Sequence, residues 1–192
     1  RTLAMSLFAE LDISTIDELP PGRKAVVTVV LSNQKRDEII KRISNVCSQG
    51  QQVYWVCPLI EESDVMQRQA AVTTHESLAQ ALPHLSVGLI HGRMKSNEKQ
   101  QIMSEFKAGQ IQLLVATTVI EVGVDVANAS LMIIENAERM GLSQLHQLRG
   151  RVGRGKDESL CVLLYQSPLS EMARTRLEVM RSCNDGFILA EK

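Results

Sequence analysis

Short apolar runs alternate with amphipathic stretches along most of the chain. Residues 26–31 form the first run, and Ile39, Ile40, Ile43 and Val46 follow at helical spacing, so the pattern predicts a strand and then a helix. Five further short runs predict five more strands. These runs cover residues 53–57, 87–90, 113–116, 131–134 and 161–165.

The runs are continuous rather than alternating, which is typical of strands buried on both faces, and Trp55 is predicted to be core. Because helical patterns separate the strands, we expect an α/β fold: a doubly wound parallel sheet with helices on both faces. One helix is predicted to have Ser96 as its N-cap and Glu98 in its first turn, and to end near Gly109. Ligands of such sheets bind beyond the carboxyl ends of the strands, so functional residues are expected in the loops that follow strands.

Two prolines and a glycine at residues 20–22 interrupt the start of the chain, because proline blocks a helix and glycine frees the backbone. Residues 1–24 are therefore predicted to be a linker, and residues 25–167 one α/β domain. Amphipathic spacing predicts that residues 168–192 form a short helical element. The chain begins without an initiator methionine and is expected to be part of a longer protein.

Composition argues against several classes of function. With 21 Lys and Arg against 22 Asp and Glu, the net charge is −1, so any affinity for nucleic acid must come from a local cationic patch. No apolar run approaches the ~20 residues needed to span a bilayer, so no membrane partner is expected. The four cysteines have neither zinc-site nor disulfide spacing, which predicts free thiols in a reducing compartment and a cytoplasmic protein.

Residues 150–157 nearly spell the phosphate loop G-x-x-x-x-G-K-[ST]. However, Asp157 stands where a hydroxyl should bind magnesium, and a predicted strand follows the glycines instead of preceding them. The sequence also has no Asp-Glu-x-His or Asp-Glu-x-Gln motif for magnesium. The chain is therefore predicted to hold no metal site and to lack a complete nucleotide triphosphatase, so any nucleotide would be carried by another domain.

Residues 144–154, which overlap this glycine-rich segment, contain a stripe of cationic residues. Within residues 144–154, apolar residues recur at helical spacing on one face, and Gln147, Arg151 and Arg154 recur at i, i+4 and i+7 on another. Residues 139–156 contain five Lys or Arg and no Asp or Glu. Planar guanidinium groups suit phosphate, so an anion site is predicted, with a solvated helix face as the alternative.

Residues 147–154 match the pattern Q-x-x-G-R-x-G-R at every fixed position and resemble motif VI of superfamily 2 helicases. The resemblance implies the second of two RecA-like lobes, whose arginines reach across a cleft to ATP, held with Mg²⁺ mainly by a first lobe that this chain lacks. By resemblance Arg154 is an arginine finger, Arg151 its neighbour and Gln147 an orienting residue. Such fingers neutralise charge during phosphoryl transfer and contribute on the order of a thousandfold or more.

Residues 114–125 resemble motif V of the same family. By this resemblance Thr117 and Thr118 contact a nucleic-acid phosphate, while Gly123 and Asp125 approach the nucleotide, with Asp125 at the ribose. The alternative is that the threonines cap a helix and that Asp125 closes a turn.

Residues 91–95, His-Gly-Arg-Met-Lys, follow a predicted strand and open a predicted helix. Backbone N–H groups at a helix N-terminus and two cations meet there, which favours phosphate. The segment is similar to the family's His-Gly segment that grips the nucleic-acid backbone, so His91, Gly92, Arg93 and Lys95 are candidate DNA contacts. For His91 the alternative is a buried loop histidine.

By resemblance to the superfamily 2 DNA helicases that remodel stalled replication forks in recombination and repair, residues 168–192 are a helical hairpin, the truncated start of a translocation element. Residues 16–23, 54–63, 91–94 and 134–136 carry the same resemblance, which covers essentially the whole chain. The resemblance implies two kinds of partner: branched or forked DNA, contacted mainly at phosphates, and the first RecA-like lobe and wedge domain of the same parent chain. ATP is the only small-molecule substrate expected, and the chain by itself is expected to be inactive. Transcription-repair coupling translocases share motifs V and VI and are one alternative; a non-catalytic DNA or protein interaction module is another.

Overall fold

A computed structural model of the protein describes residues 25–57, 64–117, 126–155 and 158–183, with residues 64–68 described by their backbone alone. Its strands are β1 (Val27–Ser32), β2 (Gln52–Cys57), β3 (Val87–Ile90), β4 (Leu113–Thr117), β5 (Ala129–Ile134) and β6 (Leu160–Tyr165). Its helices are α1 (Arg36–Ser48), α2 (Asp64–Ala81), α3 (Ser96–Lys107), α4 (Leu142–Arg149) and α5 (Glu171–Ser182), with 3-10 turns at Asn33–Lys35 and Ala137–Arg139.

The strands form one parallel sheet in the order β1-β6-β5-β2-β4-β3. Every predicted strand is present, and the predicted parallel sheet is confirmed. β2 lies between β5 and β4, and all of its residues are buried. Because parallel strands cannot be joined by a hairpin, the connections cross over the faces of the sheet.

Alternate residues of β2 belong to two separate cores, as the two-residue period of a strand requires. Tyr54 packs in a core that also contains Phe106 of α3, Leu145 of α4 and Leu177 of α5. Trp55 packs in the other core, against residues of α1 and α2. The prediction of helices on both faces is confirmed, and Trp55 is a fully buried core residue, as predicted.

The start of α3 differs from its prediction by one residue. Lys95, and not Ser96, is the N-cap: its backbone is extended (φ −63°, ψ 149°), whereas Ser96 is already helical. The Glu98 carboxylate accepts the N–H of Lys95 at 3.1 Å. The Glu98 side chain thus caps the helix at Lys95. The helix therefore does not need the Ser96 side chain as its cap.

Helix α5 lies within the segment predicted to be helical after residue 168. The Ser170 hydroxyl caps it by accepting the N–H of Ala173 at 3.2 Å. Ala173 and Met180 are buried, and Met180 belongs to the core formed by α3 and α4. The helix therefore packs on the sheet itself, while the predicted domain boundaries stay predictions, since residues 1–24 and 184–192 lie outside the described ranges.

The predicted free thiols are confirmed: Cys47, Cys57 and Cys161 are buried and Cys183 is half-buried. Burial raises the pKa of Cys47 to about 11 and that of Cys161 to about 12. Burial, followed by the Glu135 carboxylate, raises the pKa of Cys57 to about 12. These three thiols are protonated at neutral pH. Among the described residues, no helix has the length and apolarity needed to cross a bilayer.

Replacing Phe106 by alanine is expected to lower the free energy of unfolding by about 3–5 kcal/mol, because it empties a fully buried site beside Tyr54. Urea denaturation followed by circular dichroism measures this change. Met172→Ala is the control: its side chain is 75% exposed, so the expected change is below about 0.5 kcal/mol. Equal losses in the two variants would contradict the packing described for Phe106.

Native-state alkylation at pH 8 is expected to modify Cys183 and to leave the three buried cysteines intact, because alkylation requires a thiolate that the reagent can reach. Peptide mass spectrometry identifies the modified residue. In denaturant all four should react, and modification of Cys161 at the same rate as Cys183 in the folded chain would contradict the burial.

Candidate nucleotide and nucleic-acid interface

The predicted site residues within the described ranges form two groups, one at the carboxyl edge of the sheet and one at and after helix α4. Residues 91–95 (the His-Gly loop) follow β3, and Thr117 is the last residue of β4, so both lie at the carboxyl edge. Residues 150–155 (the arginine loop) follow α4, and Gly155 lies against the carbonyl of Ala127, just before β5. The His-Gly loop follows a strand, as expected for a functional loop of such a sheet, whereas the arginine loop follows helix α4.

The His-Gly loop presents cations around an accessible backbone. Gly92, Arg93 and Lys95 are exposed, and His91 is half-buried. A Cβ added at Gly92 would meet nothing within 4 Å, so a ligand has room beside the backbone. Sequence reasoning missed Lys99, whose Nζ donates to the Gly92 carbonyl at 2.8 Å; its signal was the four-residue spacing from Lys95. Three cations at the start of α3 suit a phosphate group.

Of the predicted motif V residues, the described ranges include Thr117, which ends β4 and is buried. β3 and β4 are paired neighbours whose ends lie side by side, so Thr117 and the His-Gly loop share one edge. Thr118, Gly123 and Asp125 lie outside the described residues.

The arginine loop does not continue helix α4. Gly150 is the C-cap, and Gly153 has a φ of +80°, in the left-handed region that favours glycine. The predicted helical stripe through Arg151 and Arg154 is therefore wrong, because the chain leaves the helix before it reaches either residue.

Burial nevertheless separates the two predicted sets of side chains in this segment. Gln147 and Arg154 are exposed, and Arg151 is half-buried. The apolar residues predicted to share one face all lie in the core: Leu145, Leu148 and Val152. The apolar residues fix the segment on the sheet, and the polar ones are presented outward.

Gly155 holds the far end of the arginine loop against the lobe. A Cβ built on Gly155 would lie 2.5 Å from the carbonyl oxygen of Ala127, closer than any side chain tolerates. The glycine therefore permits a backbone contact between the arginine loop and the residues that lead into β5.

Arg149, which the motif resemblance leaves without a role, is buried and bonded to α5. Its Nη1 donates to the carbonyls of Met180 at 3.2 Å and Cys183 at 2.7 Å. Its Nη2 lies 2.9 Å from Nδ1 of His146. Burial lowers the pKa of Arg149 from its usual value.

A second cluster that sequence reasoning missed lies where β1, β2 and β5 end. Arg36 Nε lies 3.0 Å from Glu135 Oε1, and the guanidinium carbon lies 5.1 Å from the centre of the Trp55 ring. The Sγ of Cys57 lies 3.6 Å from the other oxygen of Glu135. No periodicity signals this cluster, because its ion pair joins residues 99 positions apart.

A family model described as the helicase conserved C-terminal domain matches residues 34–156, and the chain belongs to this family. Over its whole length the chain is 62% identical to the ATP-dependent DNA helicase RecG of Escherichia coli K12, 60% to that of Haemophilus influenzae and 48% to that of Bacillus subtilis. It spans 28% of the length of each of these relatives. The resemblance to a DNA helicase is thereby confirmed as a resemblance to RecG.

Solved structures agree with this assignment. A structure of RecG bound to a three-way DNA junction superimposes with a TM-score of 0.82 at 42% identity, and it covers 99% of this chain and 25% of that one. Saccharomyces cerevisiae Dbp5 bound to RNA and ADP BeF3 gives a TM-score of 0.62 at 13% identity, covering 94% of this chain and 46% of that one. The second likeness shows the fold alone, and the RecA-like α/β fold is confirmed.

Replacing Gly155 by alanine is expected to lower the free energy of unfolding by about 1–3 kcal/mol, because the new Cβ collides with a backbone carbonyl that cannot rotate away. Gly92→Ala is the matched control, since its Cβ enters open space. Urea denaturation of both variants measures the difference. The close approach of Gly155 to Ala127 would be refuted by two variants of equal stability.

Proposed function

We propose that the chain is the second motor lobe of an ATP-dependent DNA helicase of the RecG type, which remodels branched DNA such as stalled replication forks in recombination and repair. The function rests on the arginine loop: a complete Q-x-x-G-R-x-G-R sequence whose arginines stand outside the core while apolar neighbours hold the loop on the sheet. The RecG relatives carry the name ATP-dependent DNA helicase, and a RecG structure is bound to a three-way DNA junction, which supports the substrate class.

Arg154 acts in this proposal as the arginine finger, Arg151 as its neighbour and Gln147 as the orienting group. All three belong to the surface-facing set of the segment, so their donors can reach a ligand across a cleft. ATP, bound with Mg²⁺ mainly on the first RecA-like lobe, supplies the phosphoryl group whose transfer to water drives the motor. The guanidinium groups neutralise the charge that spreads over the equatorial oxygens in the transition state. Gly123 and Asp125 approach the nucleotide, with Asp125 at the ribose.

The carboxyl edge of the sheet binds DNA in this proposal. The contacts are made to phosphates, because the side chains and backbone N–H groups offered there are cations and helix-start donors. Binding is therefore independent of base sequence and weakens as salt rises. The residues assigned to this surface are His91, Gly92, Arg93, Lys95, Thr117 and Thr118.

The lobe moves as one body between the two ligands. Closure of the cleft on ATP engages the arginine loop, and the same movement shifts the carboxyl edge along the DNA strand. Each ligand acts by its different affinity for the open and closed states. The first lobe and the wedge domain that selects branched DNA belong to the same parent chain. Buried thiols fit a protein of the reducing cytoplasm.

Arg154→Ala in the full-length parent protein is expected to lower kcat for ATP hydrolysis in the presence of forked DNA by about a hundredfold or more, with little change in nucleotide binding. The reason is that a finger acts on charge that develops in the transition state. Steady-state hydrolysis and binding of a fluorescent nucleotide measure the two quantities.

Arg42→Ala removes an exposed arginine from α1, outside the arginine loop and the His-Gly loop, and serves as the charge-matched control. Its kcat is expected to equal that of the parent. Equal rates in the parent protein and in Arg154→Ala would remove the finger assignment and leave a folded lobe that binds DNA or a partner without taking part in the chemistry.

A further inference from the structure

Arg149 is a buried cation at the base of the arginine loop. Only 4% of it is exposed, although arginine is rarely buried unless its charge is compensated. It closes α4, and Gly150 alone separates it from Arg151. Its position in the chain therefore places it beside the residues assigned to ATP, while its side chain faces away from them toward α5.

Two partners of Arg149 are carbonyls at the carboxyl end of α5. The last carbonyls of a helix lack partners within the helix and carry the negative end of its dipole. Nη1 of Arg149 donates to two of these groups, on Met180 and on the C-cap residue Cys183. The positive charge of Arg149 on α4 thus compensates the negative end of the α5 dipole, and its hydrogen bonds join the two helices at this point.

The backbone of Arg149 extends the same anchor into the arginine loop. The carbonyl of Arg149 accepts the N–H of Val152 at 3.3 Å, and the N–H of Arg151 donates to the carbonyl of Leu148 at 2.9 Å. Val152 is itself fully buried. The turn that carries Arg151 is therefore bonded on one side to α4 and, through the Arg149 side chain, to α5.

The far end of the loop is held separately, at Gly155 against the Ala127 carbonyl. Arg154 lies between the two attachments, on a stretch that includes the left-handed Gly153. A loop fixed at both ends holds its side chains with less freedom than one fixed at a single end. A displacement of about 1 Å in a positioned group costs up to about a hundredfold in rate.

We propose that Arg149 is a positioning residue, which fixes the base of the arginine loop on α5 so that Arg151 and Arg154 meet ATP in the productive geometry. Arg149 does not touch the nucleotide. This role rests on the proposed function, because it requires that Arg151 and Arg154 act on ATP. It also makes α5, which lies beyond the residues of the helicase family model, part of the support of the catalytic loop.

The test uses the full-length parent protein with Arg149→Met and Arg149→Lys. Methionine keeps the apolar stem and removes all donors, while lysine keeps the charge but lacks the planar fork that reaches two carbonyls. We expect Arg149→Met to lower kcat for DNA-stimulated ATP hydrolysis by about tenfold or more, with the KM for ATP changed less than about threefold. Arg149→Lys is expected to fall between Arg149→Met and the parent.

Leu177→Val and Leu177→Ala are the controls for a merely structural effect. Leu177 is buried in the same packing layer on α5 but makes none of the bonds of Arg149. Leu177→Val is expected to lower the melting temperature less than Arg149→Met does, and Leu177→Ala to lower it more. The kcat of Arg149→Met is then compared with the kcat that these two controls give at the same loss of stability. A kcat for Arg149→Met that equals that of the stability-matched control would overturn the positioning role.

Arg154→Ala, measured in the same experiment, separates the two proposals. If Arg154→Ala is impaired and Arg149→Met follows its control, the finger stands and the positioning role is lost. If Arg154→Ala is as active as the parent, the finger assignment fails first, and the role of Arg149 falls with it. If both are impaired beyond the Leu177 controls, both assignments hold.

Discussion

Parallel strands can be joined only by connections that run back along the whole sheet, and this constraint shapes the lobe. Each crossover must cover apolar strand faces, which is why β2 has no exposed residue and why helices lie on both sides. A crossover that leaves the carboxyl edge ends near the amino edge. Loops of one chain therefore appear at both edges, and a single small lobe can offer two separate surfaces to two ligands.

The separation of these surfaces determines how they can communicate. The His-Gly loop follows β3, whereas Gly155 of the arginine loop lies beside Ala127 before β5, three places away in the sheet. With neighbouring strands about 4.8 Å apart, these two points are separated by on the order of 15 Å or more. No side chain spans this distance. Close-packed cores on both faces make the sheet stiff, so a displacement at one of these loops moves the lobe as a whole. The bonds of Arg149 and the close contact of Gly155 with Ala127 tie the arginine loop to this stiff body.

The sequence predicted those features that depend on hydrophobic burial alone. A strand buried on both faces contains no polar interruptions, so the apolar runs predicted all six strands. Periodicity could not show that Gly150 ends α4 before Arg151 and Arg154, because glycine is tolerated inside a helical pattern as well as at its end. Arg149 was missed for a different reason: its partners lie 31 and 34 residues away, and an arginine is ordinarily expected at the surface.

The contact between Gly155 and Ala127 restricts its two members unequally. Residue 127 contributes only its carbonyl group, which every amino acid has. Residue 155 must have no Cβ at all. This contact therefore constrains the side chain at residue 155 and places no demand on the side chain at residue 127, for a reason that lies in a backbone atom 28 positions away rather than in any neighbouring side chain.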